Sequence, residues 1–463
     1  MLVLKKLFFT LFSIFAFVSF TMGQYFIVDN IKLEGNNKTK DKFILRELLF
    51  FKGDTIKLEN WERIKQTSEQ NLVNTSLFHF ANISVRGDGV HKQVLVKLKE
   101  RWYLWPIPQV DIDERNFNTW WETKSLNRAS VGVFLTHNNM RGNGELLKVL
   151  LMLGYNKKVG LSYEFPYLNK KKTLGFGFQS IYTLRHEVNA LTKNDKQLYL
   201  KTVDFPIQED WISSFQLTYR PKFYLSHLLQ FRFHQWRFAD TLLHFNTTYS
   251  PNSNKELNYF GLYYKLKLDH RDYKPYPLRG YYADIEIFKY GLGLINSDLN
   301  ILSFKSTLRK YWQLGKRWYY AAGIIGKISN NAFQPYLLER GLGYGRDFVR
   351  GYEYYVIDGQ DYVVAKTNIK FALLPEKIVK LNWIKSDKFN TIPYAFYLNV
   401  FCDMGYVYNS QTYSSSNQLP NSLQYSIGLG LDFISYYDAV ARLEWTVNAW
   451  GESSFYVHFI API

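Results

Sequence analysis

The feature that most restricts the fold of this chain is an alternation of apolar and polar residues with period two. Across 425–433, Tyr425, Ile427, Leu429, Leu431 and Phe433 alternate with Ser426, Gly428, Gly430 and Asp432. The beat recurs over 439–447, where Ala439, Ala441, Leu443, Trp445 and Val447 alternate with Val440, Arg442, Glu444 and Thr446. It recurs over 260–269, with Phe260, Leu262, Tyr264, Leu266 and Leu268 set against Gly261, Tyr263, Lys265, Lys267 and Asp269. Successive strand side chains point to opposite faces, so each segment has one oily and one wet face. From Trp102 onward such segments follow one another with turn signals between them, near 102–112, 129–138, 144–155, 158–166, 172–185, 210–221, 227–238, 258–269, 281–290, 300–312, 317–329, 361–374, 393–405, 423–433, 438–448 and 453–460. These are about sixteen strands, an even count within the range of membrane barrels. The stretch 186–209 reads either as a long loop or as a place for another strand at 198–203.

A soluble sandwich alternates too, but roughly 350 residues exceed what one two-sheet core normally holds, and no linker divides the segment. The start of the chain points the same way. Lys5 and Lys6 precede an apolar run from Leu7 to Phe20, and Thr21 and Gly23 sit where a signal peptidase reads, so 1–23 is expected to be a secretory signal peptide. No later run approaches the ~20 apolar residues of a spanning helix. A membrane chain without such a helix must close its sheet, because lipid satisfies no open strand edge. Aromatics make up 18% of residues, with 36 Tyr and 36 Phe, an excess that fits the girdles of an outer-membrane barrel. Cys402 is the single cysteine, which excludes an intrachain disulfide and, far from the cleavage site, a lipid-anchored N-terminus. The net charge of +17 fits solvated loops and a polar lumen, with contact to anionic lipid head groups as the alternative. Because the basic residues are scattered over strands and turns, nucleic acid is not expected as a partner.

Residues 24–101 follow another pattern. A strand at 26–33 ends at Gly35-Asn36-Asn37, and a helix follows whose Phe43, Ile44, Leu48 and Leu49 share one face. After the turn Lys52-Gly53-Asp54, a second helix over about 58–74 is expected to bury Trp61, Ile64 and Leu72. Strands at 81–86 and 94–100 flank the turn Gly87-Asp88-Gly89. The order β-α-α-β-β is that of a compact α+β module. Through Ile31 to Asn36, Thr39 to Leu48, Gly53-Asp54, Ser76-Leu77-Phe78 and Val94 to Glu100, it resembles a POTRA domain, the periplasmic module of the Omp85 superfamily. The expected fold is thus an all-β transmembrane barrel of about 16 antiparallel strands preceded by a small α+β POTRA domain. The expected division is signal peptide 1–23, POTRA domain 24–101 and barrel 102–463.

Between the strands at 317–329 and 361–374 lies a loop of about 30 residues, far longer than hairpins need. Gly341, Gly343, Gly345 and Gly351 allow it to fold back on itself, which would let Arg346 and Arg350 donate inside the barrel. No βαβ unit surrounds the glycines, so a dinucleotide site is not expected. Over 396–405 the apolar set Phe396, Leu398, Val400, Cys402 and Met404 should face lipid, which turns Asp403 inward with Asn399 and Gly405. A shielded carboxylate calls for a partner, and an arginine fork is its best geometric match. Val349-Arg350-Gly351-Tyr352 resembles the (V/I)RG(F/Y) motif of the long sixth extracellular loop in the Omp85 superfamily, and Phe401-Cys-Asp403-Met-Gly405 its aromatic-x-Asp-x-Gly strand. The resemblance implies that Arg350 enters the lumen and pairs with Asp403. Asp269 to Gly280 and Glu164 to Leu168 are similar to two further strand-end patterns of that superfamily, of the surface-antigen D15 type.

Nothing suggests an enzyme. There is no Gly-x-Ser-x-Gly elbow, and His186-Glu187 opens like a zinc helix but lacks the second histidine. No catalytic residue, cofactor or metal is expected. The resemblance implies a factor that inserts or translocates outer-membrane proteins, with unfolded barrel clients and outer-membrane lipid as partners and periplasmic chaperones or accessory lipoproteins as further candidates. Strand addition at a POTRA edge and at a weak seam between the first and last strands would do the work. Phe455, Val457 and Phe459 of the last strand would form the seam and C-terminal signal, although the usual terminal aromatic is replaced by Phe459-Ile-Ala-Pro-Ile463. Only one POTRA module fits before Trp102, fewer than the main assembly machines carry. A two-partner-secretion-type transporter and a passive pore or structural surface antigen stay open as alternatives.

Overall fold

A computed structural model describes residues 25–459 except 113–120, 123, 125–128, 170, 203, 296–298, 331–333, 387–388 and 412–415. The expected signal peptide, 1–23, lies outside the described residues.

The N-terminal unit runs β1 (Tyr25–Glu34), α1 (Asp41–Glu47), β2 (Thr55–Lys57), α2 (Leu58–Val73), β3 (Phe78–Arg86) and β4 (His91–Glu100), with sheet order β2-β1-β4-β3. Its core joins Phe26, Ile44, Leu48, Trp61, Leu72 and Val94. To the expected order the structure adds β2, three residues in which only Ile56 is buried, too short for any period to register.

The barrel is one 16-stranded antiparallel sheet. Its first half consists of β5 (Leu104–Ile112), β6 (Ala129–His137), β7 (Leu146–Gly154), β8 (Lys157–Phe165), β9 (Leu174–Arg185), β12 (Gln208–Tyr219), β13 (Leu225–Phe238) and β14 (Glu256–Asp269). The second half is β15 (Gly280–Tyr290), β16 (Ile301–Gln313), β17 (Trp318–Ser329), β18 (Asp361–Lys380), β19 (Thr391–Tyr408), β20 (Leu423–Ile434), β21 (Val440–Asn448) and β22 (Ser453–His458). The ambiguous stretch 186–209 forms a separate extracellular hairpin, β10 (Glu187–Lys193) and β11 (Lys196–Lys201). It packs with α3 (Asp240–Phe245) and Tyr336 of the long loop over the outer mouth.

Alternation is sharpest in β20, where Leu423, Tyr425, Ile427, Leu429 and Leu431 are exposed and Gln424, Ser426, Gly428, Gly430 and Asp432 buried. No helix among the described residues is long and apolar enough to cross a membrane. In the strand order β5 and β22 stand at the two ends, next to β6 and β21 respectively. Pro106 and Pro108 in β5 remove two backbone donors, as edge strands tolerate.

The N-terminal unit is fixed to the periplasmic turns. Glu47, buried, receives both nitrogens of Arg220 at 2.9 and 3.1 Å and Arg46 at 2.9 Å. Arg101 grips Asp438 through two bonds of 2.8 and 3.0 Å. Lys40 N donates to Gly142 O at 2.8 Å, and Asn74 Nδ2 to Asp272 O at 3.1 Å.

Candidate functional site in the barrel lumen

Residues 330–360, between β17 and β18, leave the outer rim and fold back into the lumen. Leu342 and Ile357 exchange both backbone hydrogen bonds, at 3.0 and 2.9 Å, and Gly343 N donates to Asp347 O at 2.8 Å. Leu342, Val349, Tyr352 and Ile357 pack on Ile325, Val364 and Val407 of the wall. This apolar seat carries Arg350 to a point where it is fully buried.

A guanidinium withdrawn from water is costly unless its donors are answered. Here they are. Arg350 Nε donates to Asp403 Oδ2 at 2.8 Å and Nη2 donates to Asp403 Oδ1, a two-pronged carboxylate contact. Arg350 N donates to the same carboxylate at 3.2 Å. Nη1 reaches Asn368 Oδ1 at 2.9 Å and Glu444 Oε1 at 3.4 Å, and Nη2 reaches Thr367 O at 3.4 Å. The Phe401 ring centroid lies 3.7 Å from the guanidinium carbon, adding a cation–π contact. Asp403 faces inward because β19 alternates: Leu398, Val400, Cys402 and Met404 are exposed, while Asn399, Phe401, Asp403 and Gly405 are buried.

Two glycines allow the approach. A Cβ on Gly405 would lie 2.5 Å from Val349 Cγ2, so any side chain there collides with the loop. Gly351 has φ +89°, a backbone region that side-chain-bearing residues rarely adopt. Tyr352 is buried, its hydroxyl accepting from Ala449 N at 3.2 Å.

The pair belongs to a larger network. Arg442 of β21 forks onto Asp432 of β20, with Nη2 at 2.6 Å from Oδ2, and its Nη1 lies 3.2 Å from Glu444 Oε1. Tyr276, from the turn joining β14 and β15, folds up into the inner mouth and donates to Asp432 at 2.6 Å. His458 Nε2 of β22 sits 3.2 Å from Glu353 Oε1 of the loop and 3.2 Å from Glu444 Oε2. Glu353, Glu444 and His458 hold ligand-type atoms within 4.8 Å of one another. Because Glu444 already faces two guanidiniums, this trio suits an ion-pair clasp better than a divalent cation.

Other expected residues lie elsewhere. Arg346 is exposed at a lumenal cavity, so only Arg350 of the two is buried against acceptors. Phe455, 68% exposed, lies with Val457 on the outer face of the last strand, whereas Phe459, 64% exposed, follows that strand and lines the same cavity as Arg346. Asp269 and Arg271 pair at 2.8 Å in the β14–β15 turn. Glu187 sits in strand β10, which denies the helical spacing a zinc motif requires. Asp432, Arg442, Glu444, Asn368, Glu353, His458 and Tyr276 were not legible as site residues; a charge at an inward position of a strand was the available signal for three of them.

These features define an outer-membrane β-barrel stoppered by an extracellular loop that is held on a buried arginine–aspartate pair. A family model described as the Omp85 superfamily domain matches residues 139–447, and a POTRA model described as surface antigen variable number repeat matches 26–101. The chain belongs to the Omp85 superfamily. It is thus an outer-membrane protein with its POTRA domain in the periplasm, in a family of insertion and translocation proteins rather than enzymes. Among solved structures it is similar to BamA from Haemophilus ducreyi lacking POTRA domains 1-3, at 16% identity and TM-score 0.52, covering 93% of this chain and 84% of that one. It is also similar to CdiB from Escherichia coli (11% identity, TM-score 0.55, 93% and 75% covered) and from Acinetobacter baumannii (11%, 0.50, 93% and 73%). These likenesses concern the fold. No curated protein matches the chain.

Proposed function

We propose that this protein inserts other barrel proteins into the outer membrane by strand addition at its seam, without a cofactor. The observation that carries the reading is a 16-stranded sheet with β5 and β22 at the two ends of its strand order, whose lumen holds a loop anchored on Asp403 of β19 and Glu444 of β21. A strand edge opened at the seam between β5 and β22 would template main-chain hydrogen bonds with little demand on sequence. In this reading 102–463 forms the inserting barrel and 24–101 handles unfolded clients in the periplasm, with β3 at the outer edge of its sheet. Val349 to Tyr352, with Asp403 and Gly405, hold the shape of the gate, and Phe455, Val457 and Phe459 belong to the seam and C-terminal signal.

Depleting the protein and quantifying the outer-membrane proteome tests it. Several barrel proteins should fall together. Loss of one secreted partner alone would favour the two-partner-secretion reading, which the CdiB-like fold keeps open. An unchanged proteome would sink both.

A further inference from the structure

β18 and β19 outrun their neighbours. The ladder with β17 ends at Phe371 and that with β20 at Ala395, yet β18 and β19 stay paired down to Lys380 and Thr391. Two register shifts, between Ala372 and Leu374 and between Leu374 and Lys377, bend the pair away from the wall. The inside-outside rhythm then stops: every residue from Pro375 to Lys380 is exposed. Ile378 is 55% and Trp383 79% exposed, the highest value of any tryptophan among the described residues. This arm, described over 373–386 and 389–394, ends near the first strand, where Phe389 lies 6.4 Å from Trp102 and 6.3 Å from Trp105 by ring centroids. Trp105 is the second residue of β5, so the arm's return lies level with the periplasmic edge of the membrane.

Exposed apolar residues on such an arm invite either another strand or lipid. Its edges argue against a strand. Pro375 on β18 and Pro393 on β19 each lack a donor, and Lys377 and Lys380 place charge along the same edge, devices that block strand addition. Lipid fits better. Among the arm's described residues Lys377, Lys380 and Lys385 are exposed against the single acid Glu376, and they are interspersed with Ile378, Val379 and Trp383. Tryptophan settles at the head-group level, lysine stems snorkel toward phosphates, and clustered lysines draw anionic lipid.

We propose that this arm is a lipid-binding foot: Trp383 and Ile378 insert into the periplasmic leaflet beside the first strand, and Lys377, Lys380 and Lys385 engage anionic phospholipid head groups. The proposal rests on the membrane location of the barrel and not on the insertion reading, so either can fail without the other.

The test uses the full chain in vesicles of phosphatidylethanolamine and phosphatidylglycerol containing lipid brominated near the glycerol end of its chains. Subtracting the fluorescence of Trp383→Phe from that of the wild type isolates the Trp383 signal. That signal should be quenched by brominated lipid and spared by aqueous iodide. Replacing phosphatidylglycerol by phosphatidylcholine, or combining K377Q, K380Q and K385Q, should lower the quenching about twofold or more. Iodide quenching without bromine quenching overturns the proposal, as does indifference to lipid charge. A photoreactive group at 383 that captures a co-expressed barrel client in place of lipid also overturns it. The exposed Trp383→Phe exchange leaves the fold intact, which unboiled gel mobility verifies.

Discussion

Arg350 stands 53 residues from Asp403 in sequence and shares one buried ion pair with it. Removing one member of such a pair leaves a bare charge in a shielded place, at a cost of about 3–5 kcal/mol. Arg350→Ala and Asp403→Ala should therefore reach the membrane yet lose their folded gel mobility at lower temperature than the wild type and fail in complementation. Arg350→Lys should not restore either property, because a point charge cannot fork onto a carboxylate. Gly405→Val should mimic them by sterics, since its first carbon already meets Val349, with an overpacking cost of about 1–3 kcal/mol. Protease clipping of the loop on intact cells would report the displaced chain. Alternation over 396–405 makes the inward position of Asp403 readable, and the structure has it there. The partners that complete the cluster were not readable: Tyr276 comes from a turn and Glu353 from the loop itself, where no periodicity assigns a face.

Among elements, the strands were the most legible, because each is long enough for its two-beat pattern to show. β2 and the β10–β11 hairpin were not; one is three residues long, and the other packs in a cap instead of a wall. The docking of the N-terminal unit was invisible as well, because Glu47 and Arg220 are distant in sequence and ordinary in type. Burial alone pushes the Glu47 carboxyl up, but Arg220 and Arg46 outweigh it and hold it below the usual carboxylate range. Asp438 behaves alike, with Arg101 overriding burial. Each is depressed in the docked state, so its contribution is fully present above the ordinary carboxyl value of about 4 and is lost as pH falls through the lower docked value. Hydrogen exchange over 25–101 should therefore be slow and constant near neutrality and accelerate only in acid. In Glu47→Gln the acid response should shrink while basal exchange rises.

At the scale of the molecule, alternation, length and the absence of any spanning helix sufficed to read a membrane cylinder. Whether that cylinder is hollow was not readable from strands at all. Folded into its bore are a loop from outside, a tyrosine-bearing turn from below and the charges of Arg350, Arg442, Asp403, Asp432 and Glu444 between them.

Such a bore should be electrically quiet. Permeant ions would have to cross a column of fixed charges that already satisfy one another, so planar-bilayer recordings of the wild type should stay near baseline. Arg350→Ala, which unpins the plug, should flicker between closed and conducting levels. A wild type with a steady open current would mean that the stopper is a doorman rather than a cork.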